Sequence, residues 1–191
     1  MRGHLQPAGV SETAELEQLV GAVARGERPA IARFFDRFEG GVNGLVWRML
    51  GADADHDDIV NEAFTTMLKH VGEVQNAQAL TAWVRSVTLN TLRAVVRRRR
   101  WRRFFTGSEE EALGYADPSV PDEAERERTR LLYRALGELT FTDRTALVLR
   151  HLEGMELTEV AESLGCSLAT SKRHLARAEQ RLAIKLGGAF E

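Results

Sequence analysis

The sequence predicts an all-α protein: two small helical domains joined by a flexible acidic linker, the C-terminal one containing a helix-turn-helix. Three observations predict it. Apolar residues recur at i, i+3, i+4 spacing almost throughout, and the alternation expected of strands is absent. The pattern breaks from about Thr106 to Glu123, where Gly107, Gly114, Pro118 and Pro121 stand among many acids, as in an exposed linker. Nearer the C-terminus, Gly165 separates two helical patterns with the spacing of a tight interhelical turn.

Each element follows from its own stripe. After a loose start with Gly3, Pro7 and Gly9, residues Leu16, Leu19, Val20 and Val23 mark the first helix, and Ile31, Phe34, Phe35 and Phe38 the second. Val42, Leu45, Val46, Met49 and Leu50 form a further stripe, ended by Gly51. Asp53, Asp55 and Asp57 supply cap candidates and first-turn acids for a helix carrying Ile59, Val60, Ala63, Phe64, Met67, Leu68 and Val71. Gly72 to Gln78 reads as a loop. The next helix carries Leu80, Trp83, Val84, Val87, Leu92, Val95 and Val96; Trp83 is in register with that stripe and is read as core. Past the linker, Leu131, Leu132, Ala135, Leu136 and Leu139, then Ala146, Leu147, Leu149 and Leu152, mark two helices, with Gly154 stopping the second. Leu157 to Leu164 and Leu168 to Leu186 are the last two. The expected boundaries are a loose extension at 1–14, a helical domain at 15–105, the linker at 106–128 and the helix-turn-helix domain at 129–191.

Composition narrows the function. The 191 residues are 43% hydrophobic and 28% charged, ordinary for a globular protein, with a net charge of −2. That average hides a segregation: Arg85, Arg93, Arg97, Arg98, Arg99, Arg100, Arg102 and Arg103 crowd one stretch, and Glu109, Glu110, Glu111, Asp117, Asp122, Glu123, Glu125 and Glu127 follow it. Such density of like charge is expensive without a polyanion nearby, which favours DNA over a solvated helix end. Within the run, Trp101, Phe104 and Phe105 are expected to pack against the domain. The single cysteine, Cys166, excludes a disulfide framework and a thiolate-rich zinc site, and fits a reducing cytoplasm. No apolar run approaches the ~20 residues of a membrane span, and the first residues lack a signal peptide's apolar core, so no membrane insertion is expected.

Metal and enzyme readings fail on their residues. Asp53, Asp55 and Asp57 alternate like the first ligands of a calcium loop, but Asp58 stands where glycine is needed and Phe64 where the bidentate glutamate belongs. A DNA-processing enzyme would need a nucleophile with its base, or carboxylates converging on a metal. No phosphate-binding glycine loop occurs, and His4, His56, His70, His151 and His174 are scattered without ligand spacing. No catalytic residue and no cofactor is expected.

The sharpest local signal is LTEVAESLGCSLATSKRHLARAEQRL, residues 157 to 182. Gly165 permits the turn's backbone, the small Ala161 allows close approach, and Val160 and Leu164 face the core. The second helix then exposes Lys172, Arg173, His174 and Arg177, cations suited to base edges and phosphates. A helical hairpin with a merely solvated basic face is the bland alternative, disfavoured by spacing and charge together.

With its lead-in, LLYRALGELTFTDRTALVLRHLEGMELTEVAESLG, this segment resembles the fourth conserved region of bacterial sigma factors. Similar regions occur in two-component response regulators. Residues 31 to 103 settle the choice: FDRFEGGVNGLVWRMLGADADHDDIVNEAFTTML and LTAWVRSVTLNTLRAVVRRRR resemble the second conserved region of the extracytoplasmic-function group. The resemblance implies a cytoplasmic transcription initiation factor that binds core RNA polymerase and promoter DNA and is held by an anti-sigma factor. It implies polymerase contacts at Asp58, Asn61 and Glu62. It implies −10 DNA contacts at Asn76, Gln78, Arg85, Asn90, Arg93, Arg97 and Arg98, and −35 contacts at Ser167, Thr170, Lys172, Arg173, His174 and Arg177. The linker's acids suit either a basic polymerase channel or a plain tether. Two positions depart from the family pattern: Ala94 replaces a common acid, and Ser171 replaces a branched apolar anchor. The Ser171 hydroxyl is expected to bond the carbonyl one turn back.

Overall fold

A computed structural model describes residues 8–106 and 122–187, with side chains from Glu12 to Arg102 and from Asp122 onward. It contains α1 (Ala8–Ala24), α2 (Arg28–Leu50), α3 (His56–His70), α4 (Leu80–Thr106), α5 (Glu123–Gly137), α6 (Phe141–His151), α7 (Leu157–Leu164) and α8 (Leu168–Gly187). Short 3-10 turns at Val71–Glu73 and Ala77–Ala79 occupy the expected loop between α3 and α4. Among the described residues there is no strand.

Three boundaries differ from expectation. α1 begins at Ala8, inside the expected loose extension. α2 runs unbroken through Gly40 and Gly41, joining two expected stripes. Buried Phe38 and Val42, 7% and 2% exposed, anchor the helix on either side of the two glycines and offset their low propensity. The expected linker at 106–128 is helical from Glu123, where the Asp122 side chain accepts the Ala124 amide at 3.0 Å as an N-cap. Residues 107–121 of that linker lie outside the described residues, as do residues 1–7 of the extension.

The N-terminal core gathers Phe34, Met49, Leu50, Met67, Leu80 and Leu92 from α2, α3 and α4, all fully buried. Phe34 meets Phe38 with ring centroids 4.9 Å apart, and Phe35 meets Phe64 at 4.2 Å. Trp83 packs partly buried against this core. Thr88 and Thr91 lie buried on α4 because their hydroxyls bond the Val84 and Val87 carbonyls at 2.9 and 3.1 Å.

The two halves share one core. Ala146, Val148 and Leu149 of α6, Met155, and Val160 of α7 belong to the same buried cluster as Phe34 and Met49. Polar contacts join them: Arg48 Nε donates to Glu153 at 2.7 Å, and Tyr133 Oη donates to the Trp47 carbonyl at 3.1 Å. The Tyr133 ring leaves no room at Gly51, where a Cβ would sit 3.0 Å from it and where φ is +75°. Only glycine meets both demands. Arg144 is 3% exposed and donates to the Met49 carbonyl at 3.0 Å, at the electronegative C-terminus of α2. Burial lowers its pKa to about 10.

Candidate nucleic-acid and polymerase interfaces

α3 begins with Asp57 and Asp58 in its first turn, where the helix dipole favours acids. Asp58 and Asn61 are exposed, and Glu62 is half-buried one turn further on. The helix thus presents acceptors along one edge. Glu62 is engaged from the neighbouring helix: Arg98 of α4 donates from Nη1 and Nη2 to its two carboxylate oxygens at 3.1 and 2.7 Å. That hydrogen bonding, more than the opposing effect of burial, holds the Glu62 carboxyl below its usual range. The acid expected at the polymerase and an arginine expected at DNA therefore touch.

The arginine run does not act as a block. Arg99 turns inward and donates Nη2 to Asp53 Oδ1 and to Asp55 Oδ2, both at 2.7 Å. Its side chain is 17% exposed and that of Asp53 only 8%. Burial pushes the Asp53 carboxyl upward, but hydrogen bonds from Arg99 and the Asp55 amide, with nearby positive charge, outweigh it and leave the pKa lowered. The expected caps are corrected accordingly: Asp55 stands at the N-cap of α3 without bonding its amides, because the Asp53 and Asp55 side chains close on Arg99 instead.

Arg97, Arg98, Trp101 and Arg102 line an open concavity of about 560 Å³. Trp101 is 60% exposed, which corrects the expectation that it packs against the domain; it sits on the arginine-rich end of α4, facing this concavity. The Phe104 and Phe105 side chains lie outside the described residues. Further back, Asn90 is exposed and Arg85 half-buried, and the Arg93 guanidinium lies 5.3 Å from the Phe141 ring centroid of α6. At the start of α4, Asn76 Oδ1 accepts the Gln78 amide at 2.9 Å and Gln78 Nε2 donates to Thr13 of α1 at 3.2 Å. Asn76 thereby serves as the cap of the Ala77–Ala79 turn.

In the C-terminal half, the turn forms as its residues dictate. Gly165 takes φ +63° in the left-handed region, and Cys166 N–H donates to the Ala161 carbonyl at 3.0 Å. Ser167 caps α8, its Oγ accepting the Thr170 amide at 3.2 Å and lying 3.0 Å from Thr170 Oγ1. Arg173 Nη2 donates to Thr170 Oγ1 at 3.0 Å. Lys172 and Arg173 are exposed, between buried Ser171 and buried Ala178 on the opposite face. The Ser171 hydroxyl makes no hydrogen bond, contrary to expectation; the Ser167 carbonyl instead receives the Ser171 amide at 2.9 Å.

His174 and Arg177 turn out to share a partner that sequence reasoning missed. Asp143 of α6, fully buried, accepts from His174 Nδ1 at 2.6 Å and from Arg177 Nε and Nη2 at 2.9 and 2.8 Å. Burial raises the Asp143 pKa, and hydrogen bonds from Arg177, His174 and Thr140 more than reverse it. The only sequence signal at this position is the Thr140-x-x-Asp143 spacing of a helix start, which explains the amide cap and not the clamp.

Among the described residues, no group of three or more His, Cys, Asp or Glu is placed to hold a metal, and no helix is long and apolar enough to cross a membrane. A cationic second helix behind a left-handed glycine turn, with a second arginine-lined surface on the N-terminal half, is the arrangement of a DNA-binding transcription protein.

Comparison with known proteins narrows the class. Residues 34–102 match Sigma-70 region 2 and residues 129–182 match Sigma-70, region 4. The RNA polymerase sigma factor CnrH of Cupriavidus metallidurans is 30% identical over 142 residues, covering 70% of this chain and 74% of the relative. The RNA polymerase sigma-H factor of Pseudomonas aeruginosa is 25% identical over 175 residues, 87% of this chain and 91% of the relative. The sigma factor RpoE of Bartonella quintana, solved with the anti-sigma factor NepR, shares the fold at a TM-score of 0.67 and 17% identity, covering 82% of this chain and 96% of that one. The chain belongs to the sigma-70 family, in its extracytoplasmic-function group. It is a non-enzymatic RNA polymerase sigma factor whose function is promoter recognition in transcription initiation.

Proposed function

We propose a division of labour along the chain: the domain at 15–105 holds core RNA polymerase and opens the −10 element, and the domain at 129–191 reads the −35 element. Asp58, Asn61 and Glu62 of α3 face cationic side chains on the polymerase. Asn76 and Gln78 address an unstacked base at the start of α4, while Arg85, Asn90, Arg93, Arg97 and Arg98 follow the strand along it. Extruding a base costs a few kcal/mol, so backbone neutralisation has to accompany the base pocket. Ser167, Thr170, Lys172, Arg173, His174 and Arg177 of α8 address the major groove at −35.

The observation that carries this reading is the concavity lined by Arg97, Arg98, Trp101 and Arg102, a cationic groove with an aromatic wall, beside the acidic edge of α3. On this reading the protein works in the cytoplasm under the control of an anti-sigma factor; it shares its fold with the Bartonella sigma factor that was solved with one.

The test is binding of holoenzyme to a forked −10 DNA across a salt series. The Arg97→Ala variant is expected to bind more weakly, with the salt slope reduced by about one. Unchanged affinity and slope would remove Arg97 from the DNA path.

A further inference from the structure

Asp143 belongs to neither DNA-facing surface. Yet it is a fully buried carboxylate, and two of the side chains assigned to −35 reading end on it. Asp143 is the third residue of α6, whose N-cap Thr140 takes its amide at 3.2 Å, and its carboxyl reaches across to α8. There it receives Arg177 side-on, through Nε and Nη2, which leaves the Nη1 end of the guanidinium outside the clamp. The Arg177 side chain is 48% exposed although its partner is 0% exposed, so the guanidinium spans from the interior to the surface. His174 Nδ1 lies 2.6 Å from Asp143 Oδ1 and 2.8 Å from Arg177 Nη2, so the ring closes a three-way contact with the carboxylate and the guanidinium, and Nε2 is the ring nitrogen outside it.

We infer that Asp143 is a positioning residue for −35 recognition: its buried carboxylate fixes the guanidinium of Arg177 and the imidazole ring of His174 in the orientation in which they meet DNA. The inference rests on the assignment of α8 to the −35 element. Its physical basis is pre-organisation. A free arginine loses much side-chain freedom on binding, whereas an arginine held in a planar two-point contact has lost it on folding. Bidentate geometry also fixes the plane of the guanidinium, and a base edge is read only when that plane is right. The neutralised charge carries a second consequence. Clamped Arg177 contributes less long-range attraction for phosphate than free Lys172 or Arg173, so its contribution lies in selectivity more than in general affinity.

The test is a double-mutant cycle in run-off transcription with core polymerase, comparing each variant on a promoter with an intact −35 element and on one with that element scrambled. The readout is the ratio of the two transcript yields. Arg177→Ala and Asp143→Ala are each expected to lower the ratio by about five- to tenfold. Because Asp143 acts through Arg177 and its neighbour, the double variant should show little further loss, while two independent effects would multiply. Asp143→Asn preserves the shape of the site if Asp143→Ala fails to fold, and is expected to lower the ratio in the same direction. A merely structural acid would reduce yield from both templates alike, and its loss would multiply with that of Arg177. Multiplying effects, or a wild-type ratio in the Asp143→Asn variant, would overturn the proposal alone. Equal yields from both templates with the wild-type protein would overturn the −35 assignment and the proposal with it.

Discussion

Arg99 of α4 and Asp53, which precedes α3, form a two-point ion pair across 46 residues of sequence, with Asp55 taking a third bond from the same guanidinium. The pair ties the arginine-rich segment to the turn that launches α3, the helix proposed to face the polymerase. One arginine of the run is therefore a structural member while Arg97, two positions away, faces the concavity.

Arg99→Ala is expected to destabilise the protein by about 2–3 kcal/mol, somewhat less than the ~3–5 kcal/mol for breaking a fully buried pair, since Arg99 keeps 17% exposure. Arg97→Ala is expected to change stability by less than about 0.5 kcal/mol, as is usual for surface positions. Urea unfolding of both variants checks the contrast; equal midpoints would show that the run is uniformly solvated.

Acid should unfold the protein through the same carboxylates. Against the upward push of burial, hydrogen bonds from their cationic partners hold the Asp53 and Asp143 carboxyls below the usual aspartate range. Their pairing therefore contributes fully above that range and is lost as pH falls from about 4 toward the folded pKa. Stability measured by urea titration should fall steeply below pH 4, and the fall should be shallower in Asp53→Asn. An identical pH dependence in that variant would contradict the account.

What was legible in sequence was local. The stripe Leu80, Val84, Leu92 and Val95 marked its helix because burial repeats at helical spacing, and Gly165 marked its turn because few residues adopt its backbone. The unseen contacts join residues far apart in the chain. Nothing near Asp143 announces His174 and Arg177, and nothing near Arg99 announces Asp53. Arg144 reads as one more surface cation until α2 is packed over it. The two stripes from Ile31 to Phe38 and from Val42 to Leu50 prove to be one helix, because buried Phe38 and Val42 hold it together across Gly40 and Gly41.

Glu62→Gln separates fold from function. The Glu62–Arg98 pair is about half exposed on both sides, so its loss should cost less than about 1 kcal/mol in thermal unfolding. Binding to core polymerase, measured by competition with labelled wild-type protein, is expected to weaken several-fold. Full competition by the variant would take Glu62 out of the polymerase interface.

Ser171→Ala should stabilise the helix-turn-helix. Its hydroxyl is buried without a hydrogen bond, a state that costs about 1–3 kcal/mol, and alanine removes the group with little change in volume. A rise of about 1 kcal/mol in urea unfolding is expected, and a loss of stability would show that the hydroxyl has a partner.

The division of labour between the two halves is tested most directly by footprinting the full-length protein with core polymerase on one promoter. Two measurements are read together: permanganate reactivity of unpaired thymines at −10, and protection of the −35 element. Arg97→Ala with Arg98→Ala should lose the −10 reactivity and keep −35 protection, while Lys172→Ala with Arg173→Ala should lose −35 protection first. Loss of −35 protection in the Arg97/Arg98 variant with −10 opening intact would contradict the account.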